Sequence, residues 1–307
     1  MEKKIKFFIN NSEISEDVNI MSVLYTDSCD GVSCDNLEID FSNSESDWEK
    51  WNLEINSEVK VEYGTLKTET LFVDDLKLIN GGFRLSAKTI PLNSRSNNLE
   101  VWESVDLHTI FNKICSKYNF SFEQYETENH KYERLERGRE TDLTFLTQLA
   151  YLEGYSLKIY NKKMILINDE YFEKQEPILT INKDIILNEF DVKTSQNGLL
   201  SEVVLHTKYG QINYKEDNLV GDKREIYDKF INNYAEGLRF AKGFLKKNNL
   251  DYLTCEIMIE GNFDLSSGVN IELKDFGEYD GIYTIKKITS RIDNNFFMML
   301  SLRRVLK

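Results

Sequence analysis

Between Arg137 and Asn168 the apolar residues change period once, and that change restricts the local fold more than any other stretch of the chain. Thr141 can accept a backbone N–H as a helix N-cap, and Asp142 suits the positive first turn. Leu143, Leu146, Leu149 and Ala150 recur at helical spacing, and Phe145 and Leu152 widen the apolar face. Gly154 stands where a helix ends in left-handed backbone, a conformation that suits a residue without Cβ. SLKIY, a polar turn at Asn161–Lys163 and MILIN then read as a β-hairpin. The spacing predicts helix, glycine stop, hairpin, and the stretch holds no nucleophile–base pair and no ligand cluster.

The flanks carry the other period. From Ile5 to about Pro91 short alternating runs follow one another: KIKFFIN, VNIMSVLYTD, NLEIDFSN, EVKVEYG, TLFVDDLKLING and GFRLSAKTIP. Leu37, Ile39 and Phe41 alternate with Glu38 and Asp40, as a half-buried strand requires. Trp48 and Trp51 lie in a turn or helical corner, where packing explains them; a stacking platform for single-stranded nucleic acid needs basic neighbours, and theirs are mostly acidic. Ser104 to about Tyr118 is amphipathic and predicts a helix, with Val105, Leu107, Ile110, Phe111, Ile114, Cys115 and Tyr118 on one face. The charged run YETENHKYERLERGRE reads as a solvent-facing connection. From Pro177 the strand pattern resumes with PILTIN, IILNEFDVKTS and SEVVLHTKYG, and Lys223–Ile231 fits another strand. Asn233 and Glu236 have capping-box spacing before a helix whose face is Tyr234, Leu238, Ala241 and Leu245, and Asn248-Asn249 ends it.

A weak internal repeat relates the two flanks. Val59 and Val61 correspond to Val269 and Ile271, Val73 and Leu76 to Ile285 and Ile288, and Phe83 and Leu85 to Phe297 and Met299.

Three patterns, in order, resemble the phage late control gene D (tail hub) family, which is related to the base of the VgrG spike. The first is Asp30 with Asp35-Asn36-Leu37-Glu38-Ile39, then the tryptophan turn Ser46–Trp51, then Val59 and Val61, although Ser57-Glu58 stands where that family has glycine. The second is T-D-L-x-F-L-x-x-L-A-x-x-x-G-Y from Thr141 to Tyr155. The third is Leu265, Gly268, Ile271, Gly281, Tyr283 and Ile285. The resemblance spans nearly the whole chain. It implies an α+β, β-dominated phage tail hub fold: two small tube-type β-barrel domains with a helix-plus-hairpin middle module. The expected domains are 1–98, 99–175 and 176–307, the last with one helix at about 233–249 and sharing strands with the first. It implies a homotrimeric adaptor in the baseplate of a contractile phage tail or tailocin, joining the hexameric tail tube ring to the central spike beside other baseplate proteins. Duplicated barrels would let three copies meet a sixfold ring.

Composition narrows the alternatives. Fifty-two Asp and Glu against thirty-eight Lys and Arg argue against wrapping or sequence-specific reading of nucleic acid, and suit a solvated surface or an acidic channel wall. No apolar stretch is long enough to span a membrane, and the run in MEKKIKFFINN is too short for a signal peptide, so synthesis in the cytoplasm is expected; the resemblance implies a host cell and residence in a virion or phage-tail-like particle. Cys29, Cys34, Cys115 and Cys255 match no zinc spacing, and reduced thiols are expected. His108, His130 and His206 match no metal or catalytic spacing, so no catalytic residue, metal or cofactor is expected. The residues singled out for structure are Trp48, Trp51, Thr141, Leu146, Gly154, Gly268, Gly281 and Tyr283. A cell-wall-degrading tail hydrolase and a soluble glycan-binding module are the competing readings; the first needs a pair of carboxyls across a cleft, and no pair among the acidic residues is selected by sequence.

Overall fold

The computed structural model describes residues 4–30, 34–42, 53–91, 99–187, 190–195, 198–227 and 231–305. Trp48 and Trp51 therefore lie outside the described residues. Strands dominate, as the alternating flanks predict. The first run comprises β1 (Ile5–Ile9), β2 (Ser12–Glu13), β3 (Ile20–Ser28), β4 (Asn36–Ser42), β5 (Glu58–Tyr63), β6 (Leu66–Lys67), β7 (Leu71–Ile79) and β8 (Gly82–Lys88). The middle holds β9 (Glu100–Asp106), α1 (Leu107–Lys117), β10 (Ser121–Tyr125), β11 (Lys131–Arg137), α2 (Asp142–Leu152), β12 (Ser156–Tyr160), β13 (Lys163–Ile167) and α3 (Asp169–Glu173). The last run has β14 (Thr180–Asn182), β15 (Asp191–Thr194), β16 (Leu200–Thr207), β17 (Gly210–Lys215), β18 (Asp222–Tyr227), α4 (Tyr234–Asn249), β19 (Leu253–Glu260), β20 (Asn270–Lys274), β21 (Gly281–Ile292) and β22 (Phe296–Arg304).

Both flanks join one sheet, ordered β15-β19-β22-β21-β3-β4-β8-β7-β5-β1-β2, with β20 on β21, β14 on β20 and β6 on β5. Alternation fixes which side is apolar: Leu37, Ile39 and Phe41 are fully buried with Phe7, Val59 and Leu85, while Glu38 and Asp40 face outward and Asp40 takes a two-point ion pair from Arg84 at 2.6 and 2.9 Å. A second core gathers Ile257, Ile271, Tyr283, Ile285, Leu300 and their neighbours.

The internal repeat is visible in the ladders. β4-β8-β7-β5 and β19-β22-β21-β20 are four antiparallel strands in the same spatial and chain order. Each has a bulge at the same place: the register slips between Val73 and Asp75 in β7, and between Ile285 and Lys287 in β21. The ladders also correct part of the sequence correspondence. Leu76 lies opposite Leu85 and Ile288 opposite Leu300, so Phe83, Leu85 and Ala87 match Met298, Leu300 and Leu302. Phe297 and Met299 point to the other face, and Met299 is 43% exposed. The cause is loop length: Ile79 pairs with Gly82, but Ile292 pairs with Phe296, and one extra hairpin residue moves the register by one. Val59 likewise matches Ile271, since these face Leu71 and Tyr283. The glycine expected before β5 is replaced two residues upstream of β5 by Asn56. Asn56 has φ 74° and donates to the Val73 carbonyl, as Gly268 with φ 91° donates to Ile285. Asparagine tolerates that backbone better than other non-glycine residues.

The middle module departs from expectation at its start. Residues 100–106 form β9, and the helix begins only at Leu107, where the Asp106 carboxylate accepts from Thr109 N at 2.8 Å. The charged run is not a simple connection, because Lys131–Arg137 pairs with β9 and buries Tyr132, Leu135 and Arg137. Ser104, at φ 48°, lets β9 change its inward face, so partners spaced by three on β11 can both be covered. β12 and β13 form the predicted hairpin through Asn161 and Lys162, both with positive φ, and β10 joins β13 in parallel. α1 and α2 supply Phe111, Ile114, Leu146 and Leu149 to a core in which Trp102 stacks on Phe145 at 5.2 Å.

α4 lies across the separate sheet β17-β16-β18 and against α2. Its buried face is Gly237, Phe240, Ala241 and Leu245; Tyr234 is 59% exposed, one step around the helix from the face predicted. Asn233 caps the helix, but Glu236 accepts from Asn232 N, one residue before the cap.

Candidate functional site

Thr141 Oγ1 accepts from Thr144 N at 3.2 Å, which caps α2, and Leu146 one turn later is fully buried. Gly154 has φ 79°, and a Cβ there would lie 3.1 Å from Gly243 Cα on α4, so it both stops one helix and admits another. Gly268 sits under the Phe172 ring and Gly281 beside the Arg304 guanidinium. Tyr283 is buried and donates its hydroxyl to the Tyr279 carbonyl at 2.7 Å. These residues are spread over separate parts of the chain and form no common site.

The residues that do converge come from three segments distant in sequence. Lys158, on β12, reaches out of the middle module and donates to Asp27 Oδ1 at 2.5 Å, the Ser28 carbonyl at 3.1 Å and Ser267 Oγ at 2.7 Å. Ser267 donates its own N–H and hydroxyl to Asp27. Asp27 and Ser28 belong to β3, and Ser267 precedes β20, so one ammonium ties both flanks of the sheet to the hairpin. Asp35 Oδ2 lies 3.7 Å from the same ammonium, and Asp35 Oδ1 accepts from Ser28 N at 2.7 Å. Beside it, Glu69 Oε2 accepts from Asn161 N at the hairpin turn at 2.6 Å. Thr70 donates to Asn161 Oδ1, and Lys162 to Glu58, so the hairpin tip is plugged into the first flank.

Charge in this junction follows from burial and pairing. Burial raises the Asp27 carboxyl, and the Lys158 charge with hydrogen bonds from Lys158 and Ser267 more than offsets it, leaving Asp27 below the usual range. Burial depresses Lys158, but Asp27 and then Asp35 hold it well above the ordinary lysine value. Burial lifts Asp35 to about 6 against the pull of Lys158. Glu69 rises to about 11, first through burial and then through its hydrogen bond with Asp35 and that residue's charge. Asp35 Oδ2 and Glu69 Oε1 are buried and unmatched as two carboxylates, and one proton on Glu69 satisfies both.

Two further ionic joints bind the module to its surroundings. Asp169 accepts from Lys247 at 2.8 Å and Ser156 at 2.8 Å and lies 3.5 Å from Arg303, which also pairs with Glu173. Glu153 takes both arms of Arg239 at 2.6 and 3.0 Å and the Tyr132 hydroxyl at 2.6 Å, joining α2, α4 and β11.

None of this arrangement favours covalent chemistry. A nucleophilic lysine needs a depressed pKa, and Lys158 is held charged. Burial raises the thiols of Cys29 and Cys34 to about 11, and those of Cys115 and Cys255 to about 12, opposite to reactive thiols. His108 and His130 are neighbours but face Thr127 and Glu153, His206 sits against Glu225, and among the described residues no three His, Cys, Asp or Glu side chains converge as metal ligands do. One cleft of about 200 Å³ is lined by Cys29, Tyr151, Ser156, Asp169, Lys247 and Arg303 among others, and the charges of Asp169, Lys247 and Arg303 are already paired. No helix among the described residues is long and apolar enough to cross a membrane. Sequence reading missed Asp27, Glu69 and Lys158, since nothing local marks them; Asp35 was noticed only as the start of a strand.

No protein-family model and no curated protein sequence matches the chain. Solved structures do. The tail protein from Neisseria meningitidis MC58 aligns with a TM-score of 0.78 at 12% identity, over 99% of this chain and 97% of its own. The 43 kDa tail protein of prophage MuSo2 from Shewanella oneidensis aligns with 0.76 at 11% identity, over 99% of both chains. An Escherichia coli component of the type VI secretion system, itself described as structurally similar to T4 bacteriophage tail proteins, aligns with 0.64 at 10% identity over 94% of this chain and 74% of its own. The chain has the fold of phage tail proteins along nearly its whole length.

Proposed function

We propose that this chain is a structural component of a phage-tail-type baseplate: a homotrimeric hub of the late control gene D kind, joining a hexameric tail tube ring to a central spike in a phage tail or tailocin. The observation that carries the reading is the doubled four-strand unit with its matching bulges, set in a fold that tail proteins share from end to end. Two equivalent units per chain give three copies six equivalent faces for the tube. Within this reading residues 1–98 and 176–307 are the tube-type barrels and residues 99–175 the module that braces them. The buried ionic joints suit this task, because they fix orientation between parts and offer no reactive group. Light scattering should return a mass three times the 36.0 kDa of the chain, and the trimer should retain a tail tube protein from the same particle. A monomer that releases peptidoglycan fragments, with release abolished by one carboxylate substitution, would replace this reading with a hydrolase.

A further inference from the structure

The two four-strand units are alike in their inner ladders but unlike at one edge. In the second unit the C-terminal half of β21 is covered: Val23–Ser28 of β3 pairs with Lys287–Ile292 in antiparallel register, with Ser290 opposite Tyr25 and Ile288 opposite Asp27. In the first unit the equivalent half of β7 pairs, among the described residues, with β8 on one side only, because β5 reaches no further than Leu71 and Phe72. Burial records the difference. Ser290 and Ile292 are 1% and 0% exposed, whereas Leu78, which matches Ser290, is 62% exposed. A long apolar side chain stands uncovered where its counterpart is sealed.

The strand that would cover it also has, among the described residues, one open edge. β3 leads into the first unit by pairing with β4; β15 leads into the second by pairing with β19 in the same antiparallel sense. Leu37 lies opposite Tyr25 and its counterpart Cys255 lies opposite Val192, so Val192 matches Tyr25. Among the described residues β15 has no strand on its other side, and it ends the sheet path. Each chain thus contains one joint of the form β21 with β3, and the two unmated halves of a second such joint.

We propose that β7 of one copy pairs with β15 of the next, repeating between chains the β21–β3 ladder found within the chain. The inference rests on the trimeric reading and supplies its contact. The intrachain register transfers residue by residue: Leu78 lies opposite Val192 of the neighbouring copy, Leu76 opposite Thr194, Lys77 opposite Lys193 and Ile79 opposite Asp191. Leu78 and Val192 then bury one another on the inner side. On the outer side the facing lysines are each diagonal to a carboxylate across the joint, Lys77 to Asp191 and Lys193 to Asp75, within reach of long side chains. The contact is head-to-tail, so it either closes into a ring or grows without limit. Closure at three copies makes all six joints equivalent and leaves no such edge open, which is the usual remedy for an unpaired strand.

The test is disulfide trapping in the full chain. Leu78→Cys with Val192→Cys should give, on oxidation, covalent species of two and three chains, since directly opposed residues lie within disulfide range. Leu78→Cys with Lys193→Cys should give none, because a one-residue shift turns the second thiol to the other face. Each single variant controls for the native cysteines. Leu78→Asp should abolish the trimer at concentrations where the unaltered chain is trimeric, with circular dichroism unchanged, because Leu78 is exposed in the single chain. A trimer without the Leu78–Val192 crosslink overturns this joint and leaves the trimeric hub standing. A chain that stays monomeric overturns both.

Discussion

Gly243 is the sharpest test of how the middle module is held, because two principles give opposite signs there. It lies inside α4, where replacing glycine with alanine restricts the unfolded chain and normally stabilises a helix by about 1 kcal/mol. Its surroundings forbid that gain. A Cβ on Gly243 would fall 2.1 Å from the Leu152 carbonyl oxygen, 2.6 Å from Gly154 N and 2.9 Å from the Glu153 carbonyl carbon. These are backbone atoms at the end of α2 and cannot rotate aside. Ordinary carbon–oxygen contact begins at roughly 3.3 Å, so the helices must separate by about 1 Å or more. Overpacking costs about 1–3 kcal/mol, and a clash this deep against backbone belongs in the upper half of that range. Separation also strains the Arg239–Glu153 pair, whose carboxylate is buried next to the clash. The expected result for Gly243→Ala is a net loss of about 1–2 kcal/mol after the helical gain is subtracted, read as a lower urea midpoint with unchanged slope. A midpoint equal to or above that of the unaltered chain would refute the close approach of α2 and α4.

Leu146→Asp should prevent the middle module from folding, since it places an unpaired charge at a fully buried position at a cost of several kcal/mol; normal soluble expression with unaltered circular dichroism contradicts this. Glu69 has a raised folded pKa, so its contribution is complete below the unfolded value of about 4 and is lost as pH rises toward about 11. Glu69→Gln keeps a donor for Asp35 and an acceptor for Asn161 without the titration, so its melting temperature should gain on that of the unaltered chain from pH 5 to pH 9; a constant difference would dismiss the shared proton. Asp169 has the opposite sign. Burial is outweighed by Lys247 and Arg303, its pKa is lowered, and its stabilisation is present above pH about 4 and lost as pH falls. Asp169→Asn should therefore flatten the acid limb of the stability profile. Asn56→Gly should change stability by less than about 0.5 kcal/mol, while Asn56→Val should cost about 1–2 kcal/mol, because only the second opposes the positive φ; equal melting temperatures for the two would remove the equivalence with Gly268.

Strand content and the helix-to-hairpin unit were legible because period and punctuation are local. Thr141, Leu146 and Gly154 mark their own element, and Leu37, Ile39 and Phe41 mark theirs. What failed was set at a distance. Tyr132 and Leu135 are spaced by three on a charged strand, and only the turn of β9 at Ser104 makes that spacing a buried one. The repeat was recognised, but its first and last strands were misaligned, the last because one additional hairpin residue has no signature in alternating sequence. Tyr234 fits a helical stripe equally well turned in or out, and the sheet beneath α4 decides. The junction at Lys158 was invisible for the same reason: Asp27, Asp35, Glu69 and Ser267 approach it from four loops and strand ends, and a list of 52 acidic residues does not say which will meet a lysine.

β21 has a mechanical meaning beyond its place in the ladder. Its one flank is bonded to β22 along its length, and the other first to β20 and then to β3. Hydrogen bonds between antiparallel strands run across the strand direction. A pull along β21 therefore loads its bonds together, in shear, and cannot unzip them in sequence. The chain behaves under such a load as one stiff strut, and its two halves should yield together or not at all.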